Sequence, residues 1–206
     1  HIFISHLHGD HCFGLPGLIS TFGMLNRTAE LHIHAHADLE TLLTTQLNYF
    51  CKNLPYKVIF HAIDPSKEAL IYEDRSITVH SIPLRHRIPC CGFLFAEKPR
   101  PNHILREMID FYQIPIYELN KIKNGADYTT PQGEIIPNNR LTSPSLSPRR
   151  YAYCSDTIYK EDIIPQIHGV DLLFHEATFA DSELSRAKET FHTTARQAAE
   201  IARKPK

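Results

Sequence analysis

The residues that could do chemistry crowd near the start of the chain. Ser5-His6-Leu7-His8-Gly9-Asp10-His11 sets three imidazoles and a carboxylate within one turn-sized stretch. Titratable groups packed this closely are hard to satisfy without a shared cation. His1-Ile2-Phe3-Ile4 reads as a short buried strand, and Cys12-Phe13-Gly14-Leu15-Pro16-Gly17 reads as the start of a helix, so the cluster falls where a strand ends and a loop opens. Alternation along the strand end points His6 and His8 to one side. The Gly9 turn can aim Asp10 and His11 at a different point, so the cluster can serve two ions rather than one. Imidazole and carboxylate donors without thiolate favour zinc over manganese or iron.

A two-ion site needs donors from elsewhere in the chain, and three segments offer them. Asp156, in Tyr151-Ala152-Tyr153-Cys154-Ser155-Asp156-Thr157, ends a β-rich run, where a carboxylate can bridge two cations. His86 follows an alternating strand, Ser76 to Leu84. His192 precedes a helix, Thr193 to Arg203, with Thr193 or Thr194 able to cap it. Taken singly, a histidine or aspartate near a loop is more often structural; the argument rests on the ordered set.

That set resembles the metallo-β-lactamase superfamily, whose His-x-His-x-Asp-His motif stands here as His6, His8, Asp10 and His11. Within the superfamily the chain is similar to ribonuclease Z. The similarity rests on Phe174-His175-Glu176-Ala177-Thr178-Phe179, which matches that family's His-Glu-Ala-Thr element, and on the segment from His192 to Ala199. The resemblance covers nearly the whole chain. It implies a zinc-dependent endoribonuclease that removes the 3′ trailer from precursor tRNA and leaves a 3′-hydroxyl on the tRNA. It also implies that His6, His8 and His86 hold one zinc, that Asp10, His11 and His192 hold the other, and that Asp156 bridges the pair. Asp10 would orient or deprotonate the attacking water, and His175 would protonate the leaving group or, with Glu176, merely orient a ligand. Two zinc ions per subunit and a homodimer follow from the same resemblance, in which one subunit's arm serves its partner's active site. Two other readings remain open at this point: a metallo-hydrolase of another ester, such as a small phosphodiester, sulfate ester, lactone or thioester, and a non-catalytic RNA-binding member.

At 206 residues and 42% hydrophobic, the chain can bury a full core in one domain. No apolar run approaches membrane-spanning length and the first residues lack the marks of a secretion signal, so a cytoplasmic address is expected. Cys12, Cys51, Cys90, Cys91 and Cys154 are odd in number and lack paired Cys-x-x-Cys spacing, which favours reduced, packed thiols over disulfides or a thiolate zinc site. A net charge of −1 is unlike a strongly basic nucleic-acid binder. Arg85, Arg87, Lys98, Arg100, Lys121, Lys123, Arg149 and Arg150 could still form a local positive path or simply a solvated surface.

The elements that must position these groups alternate along the chain. Leu31 to Ala35 reads as a strand. Asp38 to Phe50 reads as a helix with Leu39, Leu42, Leu43 and Leu47 on one face, and Tyr56 to Ile63 as a strand. Ala69 to Tyr72, Ser76 to Leu84 and Gly92 to Glu97 continue in β, followed later by strand Arg150 to Cys154, helix Glu161 to Ile167, strand Val170 to His175 and the last helix. The fold class expected is α/β (α+β), an αββα metallo-β-lactamase sandwich rather than a Rossmann sheet, since no glycine-rich phosphate loop is present. The superfamily supplies strands before the histidine motif and more chain after its last helix, so the sequence reads as truncated at its amino-terminal end and cut at Arg203-Lys204-Pro205-Lys206. Residues 1–206 are expected to form a single metallo-hydrolase domain with an arm-like insertion at about 99–149, where prolines and a polar stretch from Asn138 to Pro148 change the texture. The arm of ribonuclease Z carries a Gly-Pro element, for which Gln113-Ile114-Pro115-Ile116 stands here. His32, His34 and His36 lack an acidic partner of the kind Asp10 gives His8, and read as surface or core residues rather than ligands.

Overall fold

The computed structural model describes residues 1–204; Pro205 and Lys206, part of the expected carboxyl-terminal cut, lie outside it. The chain divides into two compact units, His1–Ala96 with the segment from Arg149 onward, and Glu97–Pro148. The first unit begins with β1 (Ile2–Phe3), α1 (Gly9–Cys12), α2 (Leu15–Met24), β2 (Leu31–Ala35), α3 (Asp38–Phe50), β3 (Val58–Ala62), β4 (Leu70–Glu73), β5 (Ile77–Pro83) and β6 (Cys91–Glu97). The second unit holds β7 (His103–Ile104), α4 (Arg106–Tyr112), α5 (Ile116–Lys123), β8 (Tyr128–Thr129), β9 (Ile135–Ile136), α6 (Asn138–Leu141) and β10 (Thr142–Ser143). The chain then returns through β11 (Arg150–Cys154), a 3₁₀ turn, α7 (Ile164–Ile167), β12 (Leu172–His175), a second 3₁₀ turn, α8 (Leu184–Thr190) and α9 (Ala195–Arg203).

The first unit is an αββα sandwich. One sheet runs β1-β2-β3 with all strands parallel, and the other runs β12-β11-β6-β5-β4. The period of two in β2 explains its placement: Leu31, Ile33 and Ala35 pack outward against Ile19 of α2 and Leu39, Leu43 and Leu47 of α3, while His32 and His34 take the opposite face. Leu42, expected on the buried face of α3, is 54% exposed, because the buried stripe follows strict four-residue steps and Leu42 falls on its flank. Between the sheets, Phe3 of β1 meets Phe93 and Phe95 of β6 with ring centroids 5.5 and 5.3 Å apart. The outer face of the second sheet, Ile82, Leu94, Ala152 and Cys154, is covered by Ile163, Ile167 and Ile201. Full burial of each such aliphatic side chain contributes about 1.5–3 kcal/mol. α9 starts at Thr194, whose hydroxyl accepts from Gln197 N while the Gln197 side chain accepts from Thr194 N.

The second unit has a core of its own, Ile114, Ile122, Tyr128, Ile136 and Leu141. Gln113 closes α4 in the left-handed region (φ 50°) and Pro115 opens α5 in an extended conformation, so this junction makes its turn without glycine. Part of the stretch expected as a polar loop forms α6 and β10.

Two features of the sandwich bear on its stability. Gly92 of β6 lies against β11: a Cβ there would collide with the Tyr153 carbonyl oxygen. His34 is buried between the sheets, stacked on Phe3 (4.5 Å) and His61 (4.4 Å), with Tyr72 at its edge and its Nε2 3.0 Å from His1 Nδ1. Burial, then the neighbouring His61 and His32, push its pKa down from 6.5 to about 4. Gly92→Ala should therefore lower unfolding free energy by about 1–3 kcal/mol in urea titrations, since the obstructing atoms are backbone. His34 should also make stability pH-dependent. Its folded pKa lies below its unfolded value, so the unfolded chain takes up a proton the folded chain refuses. Stability is complete above pH 6.5 and falls as pH drops toward about 4, by at most about 1.4 kcal/mol per pH unit. Urea midpoints from pH 7 to pH 4 should fall less steeply for His34→Phe than for the unsubstituted protein, and parallel curves would contradict the assignment.

Candidate metal centre

The site forms where strands end. β1 runs into Ser5 and His6, both buried, and Cys91 N–H of β6 donates to Ser5 O (3.1 Å), tying the second sheet to the start of the histidine motif. His8 precedes α1, whose single turn carries Asp10 and His11. His86 follows β5, Asp156 follows β11, and His175 ends β12 with Glu176 next. His192 lies between Phe191, which closes α8 at φ 60°, and α9.

His6 Nε2, His8 Nδ1, His86 Nε2 and an Asp156 carboxylate oxygen form one group within 4.8 Å of one another. His8 Nδ1 is 3.2 Å from His6 Nε2 and 3.1 Å from His86 Nε2, and Asp156 Oδ2 is 3.6 Å from His6 Nε2 and 3.8 Å from His86 Nε2. A tetrahedral ion with ligand atoms 2.0–2.2 Å away separates those atoms by roughly 3.3–3.6 Å, close to what is found. The tautomers point the same way. Ser5 Oγ donates to Ser155 Oγ (3.1 Å) and so accepts from His6 Nδ1–H (3.0 Å), while His86 Nδ1–H donates to the Phe191 carbonyl (2.9 Å). Lone pairs on His6 Nε2 and His86 Nε2 are thereby turned toward His8 and Asp156, and one proton on His8 Nδ1 cannot serve both neighbours. The donor set fits a divalent cation.

Burial, then the charges of His11, His86 and His8, push the His6 pKa down to about 3, with Asp10 opposing. His86 is also lowered, first by burial, against the raising effect of the Phe191 carbonyl and Asp156. Neutral imidazole, the form that ligates, is thus favoured at both. Cys90 approaches within 3.7 Å of His6 Nδ1 and donates to Asp156 O (3.4 Å). Burial pushes its thiol far above the usual range, so it packs as a neutral thiol.

The other expected donors are placed differently. His11 Nε2 lies 3.5 Å from Asp156 Oδ2 and 3.3 Å from Asp10 Oδ2, which links the motif's second half to the same carboxylate. The ring of His192 meets that of His86 edge-on at 5.0 Å, and its Nδ1–H donates to Glu176 Oε1 (2.9 Å). His175 Nδ1–H donates to Glu176 O (2.8 Å), and its Nε2 is buried without a hydrogen-bond partner. Glu176, buried, also accepts from Thr157 N (2.9 Å), Thr178 N (3.0 Å) and Thr178 Oγ1 (2.6 Å). Ser5, Ser155, Thr157 and Phe191 are site residues to which the sequence assigns no role, whereas Thr178 is visible only as the last residue of the His-Glu-Ala-Thr element.

Comparison with known proteins identifies the family. The chain is 73% identical over 206 residues to the ribonuclease Z of Phocaeicola vulgatus, covering 100% of this chain and 67% of that protein. It is 71% identical over 202 residues to that of Bacteroides fragilis, covering 98% and 66%. No family model matches. The fold is similar to that of the short form of human tRNase Z (TM-score 0.66, 23% identity, 99% of this chain and 68% of that one). It is also similar to a long-form RNase Z from yeast (TM-score 0.62, 15% identity, 98% and 27%). The chain thus spans about two thirds of the length of the curated relatives it matches.

An αββα sandwich with imidazoles and a carboxylate gathered at its strand ends is a member of the metallo-β-lactamase superfamily. Within it, the chain belongs to the ribonuclease Z family, metal-dependent endoribonucleases of tRNA 3′ processing.

Glu176 is the main anchor beneath this site. Glu176→Gln would turn an amide nitrogen toward N–H groups that now donate to it, and should cost about 1.5–3 kcal/mol of unfolding free energy in urea titrations.

Proposed function

We propose that this chain carries the metal centre of a zinc-dependent endoribonuclease that removes the 3′ trailer from precursor tRNA. The products would be a tRNA 3′-hydroxyl and a trailer 5′-phosphate. The observation that carries the reading is the convergence of His6, His8, His86 and Asp156 in a chain of this family. In this reading those four hold one Zn²⁺, and Asp10 and His11, reaching Asp156 through His11, begin a second site, giving two ions per subunit. Bound divalent ions supply Lewis-acid neutralisation of the phosphate and an attacking water of lowered pKa.

The chain's own residues do the remaining work. Asp10 has an exposed carboxylate beside His11, placed to take the proton of the attacking water. The Nδ1–H of His192 is fixed on the buried Glu176, which holds one tautomer and leaves the Nε2 lone pair free to ligate the second ion. His175 Nδ1–H is held on the Glu176 carbonyl oxygen, and its Nε2, which has no hydrogen-bond partner, is the atom that would protonate the departing ribose oxygen. His192 would thus complete the second ion's ligands with Asp10 and His11, and His175 would be the proton donor. Glu97–Pro148, a folded unit with its own core, is the segment read as the arm that engages tRNA, within a homodimer acting in the cytoplasm. Among the described residues no helix is long and apolar enough to cross a membrane.

The full-length protein should cut a labelled precursor tRNA once at its 3′ side, lose that cut with chelator and regain it with Zn²⁺. Asp156→Ala should lower turnover by about 10³-fold, the equivalent of several kcal/mol of transition-state stabilisation. Cleavage indifferent to chelator would contradict the metal reading, and hydrolysis of a small diester with precursor tRNA left intact would assign the site to another ester.

A further inference from the structure

The donors reach the site from separate stretches of chain, so something must set those stretches in register. One buried residue touches most of them. Thr157, fully buried, follows Asp156 directly. Its Oγ1–H donates to Ile158 O (3.0 Å), and the same oxygen accepts the N–H of Arg85, the residue before His86 (3.1 Å). Ile158 N–H donates back to Arg85 O (2.9 Å), so both backbone groups of Arg85 are clamped to the segment that follows β11. Thr157 N–H donates to Glu176 Oε1, the oxygen that also holds His192, at 2.9 Å. Thr157 O accepts from Thr193 Oγ1, next to His192, at 2.6 Å.

We propose that Thr157 is the positioning residue that registers the His86 loop and the Glu176–His192 pair against Asp156, and that its hydroxyl sets metal affinity through Arg85. The inference rests on the reading that His86 and Asp156 share an ion. The hydroxyl's own hydrogen is committed to Ile158, so a lone pair faces the Arg85 amide. Valine has the same shape without the oxygen; in Thr157→Val the Arg85 amide has no acceptor and the His86 loop loses one of its two ties to the segment after β11.

The test uses full-length protein with Zn²⁺ as the probe, in competition with a chromophoric chelator. Thr157→Val should weaken Zn²⁺ binding by about 10–100-fold, the range found when groups that orient metal ligands are removed, and Thr157→Ser should restore it. In metal-free protein, hydrogen exchange at the Arg85 amide should lose protection in Thr157→Val and keep it in Thr157→Ser. Wild-type affinity in Thr157→Val would overturn the proposal, as would an equal loss in Thr157→Ser, which would assign the effect to methyl packing. If Thr157→Val does not fold, Thr193→Val removes the tie to Thr157 O from the other side. It should also weaken Zn²⁺ binding, and unchanged affinity would overturn the proposal. If the wild-type protein binds no Zn²⁺, the functional reading falls, and Arg85 exchange alone decides for or against Thr157.

Discussion

Four polar atoms held lone pair to lone pair are the constraint around which the rest of this structure is arranged. His6 Nε2, His8 Nδ1, His86 Nε2 and Asp156 Oδ2 lie 3.1–3.8 Å from their neighbours in the group. Such a grouping is unfavourable unless a cation or shared protons occupy it. The surroundings leave little room for the second solution. Ser155, Ser5 and His6 form a relay that places the His6 proton on the far side of the ring, and the Phe191 carbonyl does the same for His86. Burial disfavours protonating either ring.

The layers of the sandwich keep that arrangement in place. The histidine motif extends from the first sheet, whereas His86, Asp156 and Glu176 extend from the second, so the site exists only while the two sheets stay in register. Phe3 against Phe93 and Phe95 fixes the inner faces, and the bond from Cys91 N–H to Ser5 O joins the sheets next to His6. Gly92 lets β6 and β11 approach closely beside it. Glu176 then works as a polar keystone: a buried carboxylate with four donors around it, one of them His192, has its oxygens satisfied inside the fold.

Much of this was legible in the chain because it is local. His-x-His-x-Asp-His lies within six residues, and β2, α3 and β11 fall at the bounds their periodicity indicates, Leu31–Ala35, Asp38–Phe50 and Arg150–Cys154. What could not be read is non-local. Thr157 meets Arg85, Glu176 and Thr193 across separations of 72, 19 and 36 residues, and threonine has no pattern that marks such a role. That His192 Nδ1–H meets the Glu176 carboxylate while His175 Nδ1–H meets the Glu176 carbonyl likewise depends on tertiary placement, which spacing does not encode. Leu42 matched the apolar pattern of α3 yet lies outside, since hydrophobicity marks candidates for burial and only packing selects among them.

The central claim is that imidazole and carboxylate alone, with no thiolate, surround the ion. Cys90 makes this a sharp question, since its sulfur sits 3.7 Å from His6 Nδ1. X-ray absorption spectroscopy of the Zn²⁺-loaded full-length protein tests it most directly. The account predicts nitrogen and oxygen neighbours at about 2.0–2.2 Å with histidine multiple scattering and no sulfur shell. A sulfur neighbour at about 2.3 Å, or zinc with too few histidines to include both His6 and His86, would contradict it.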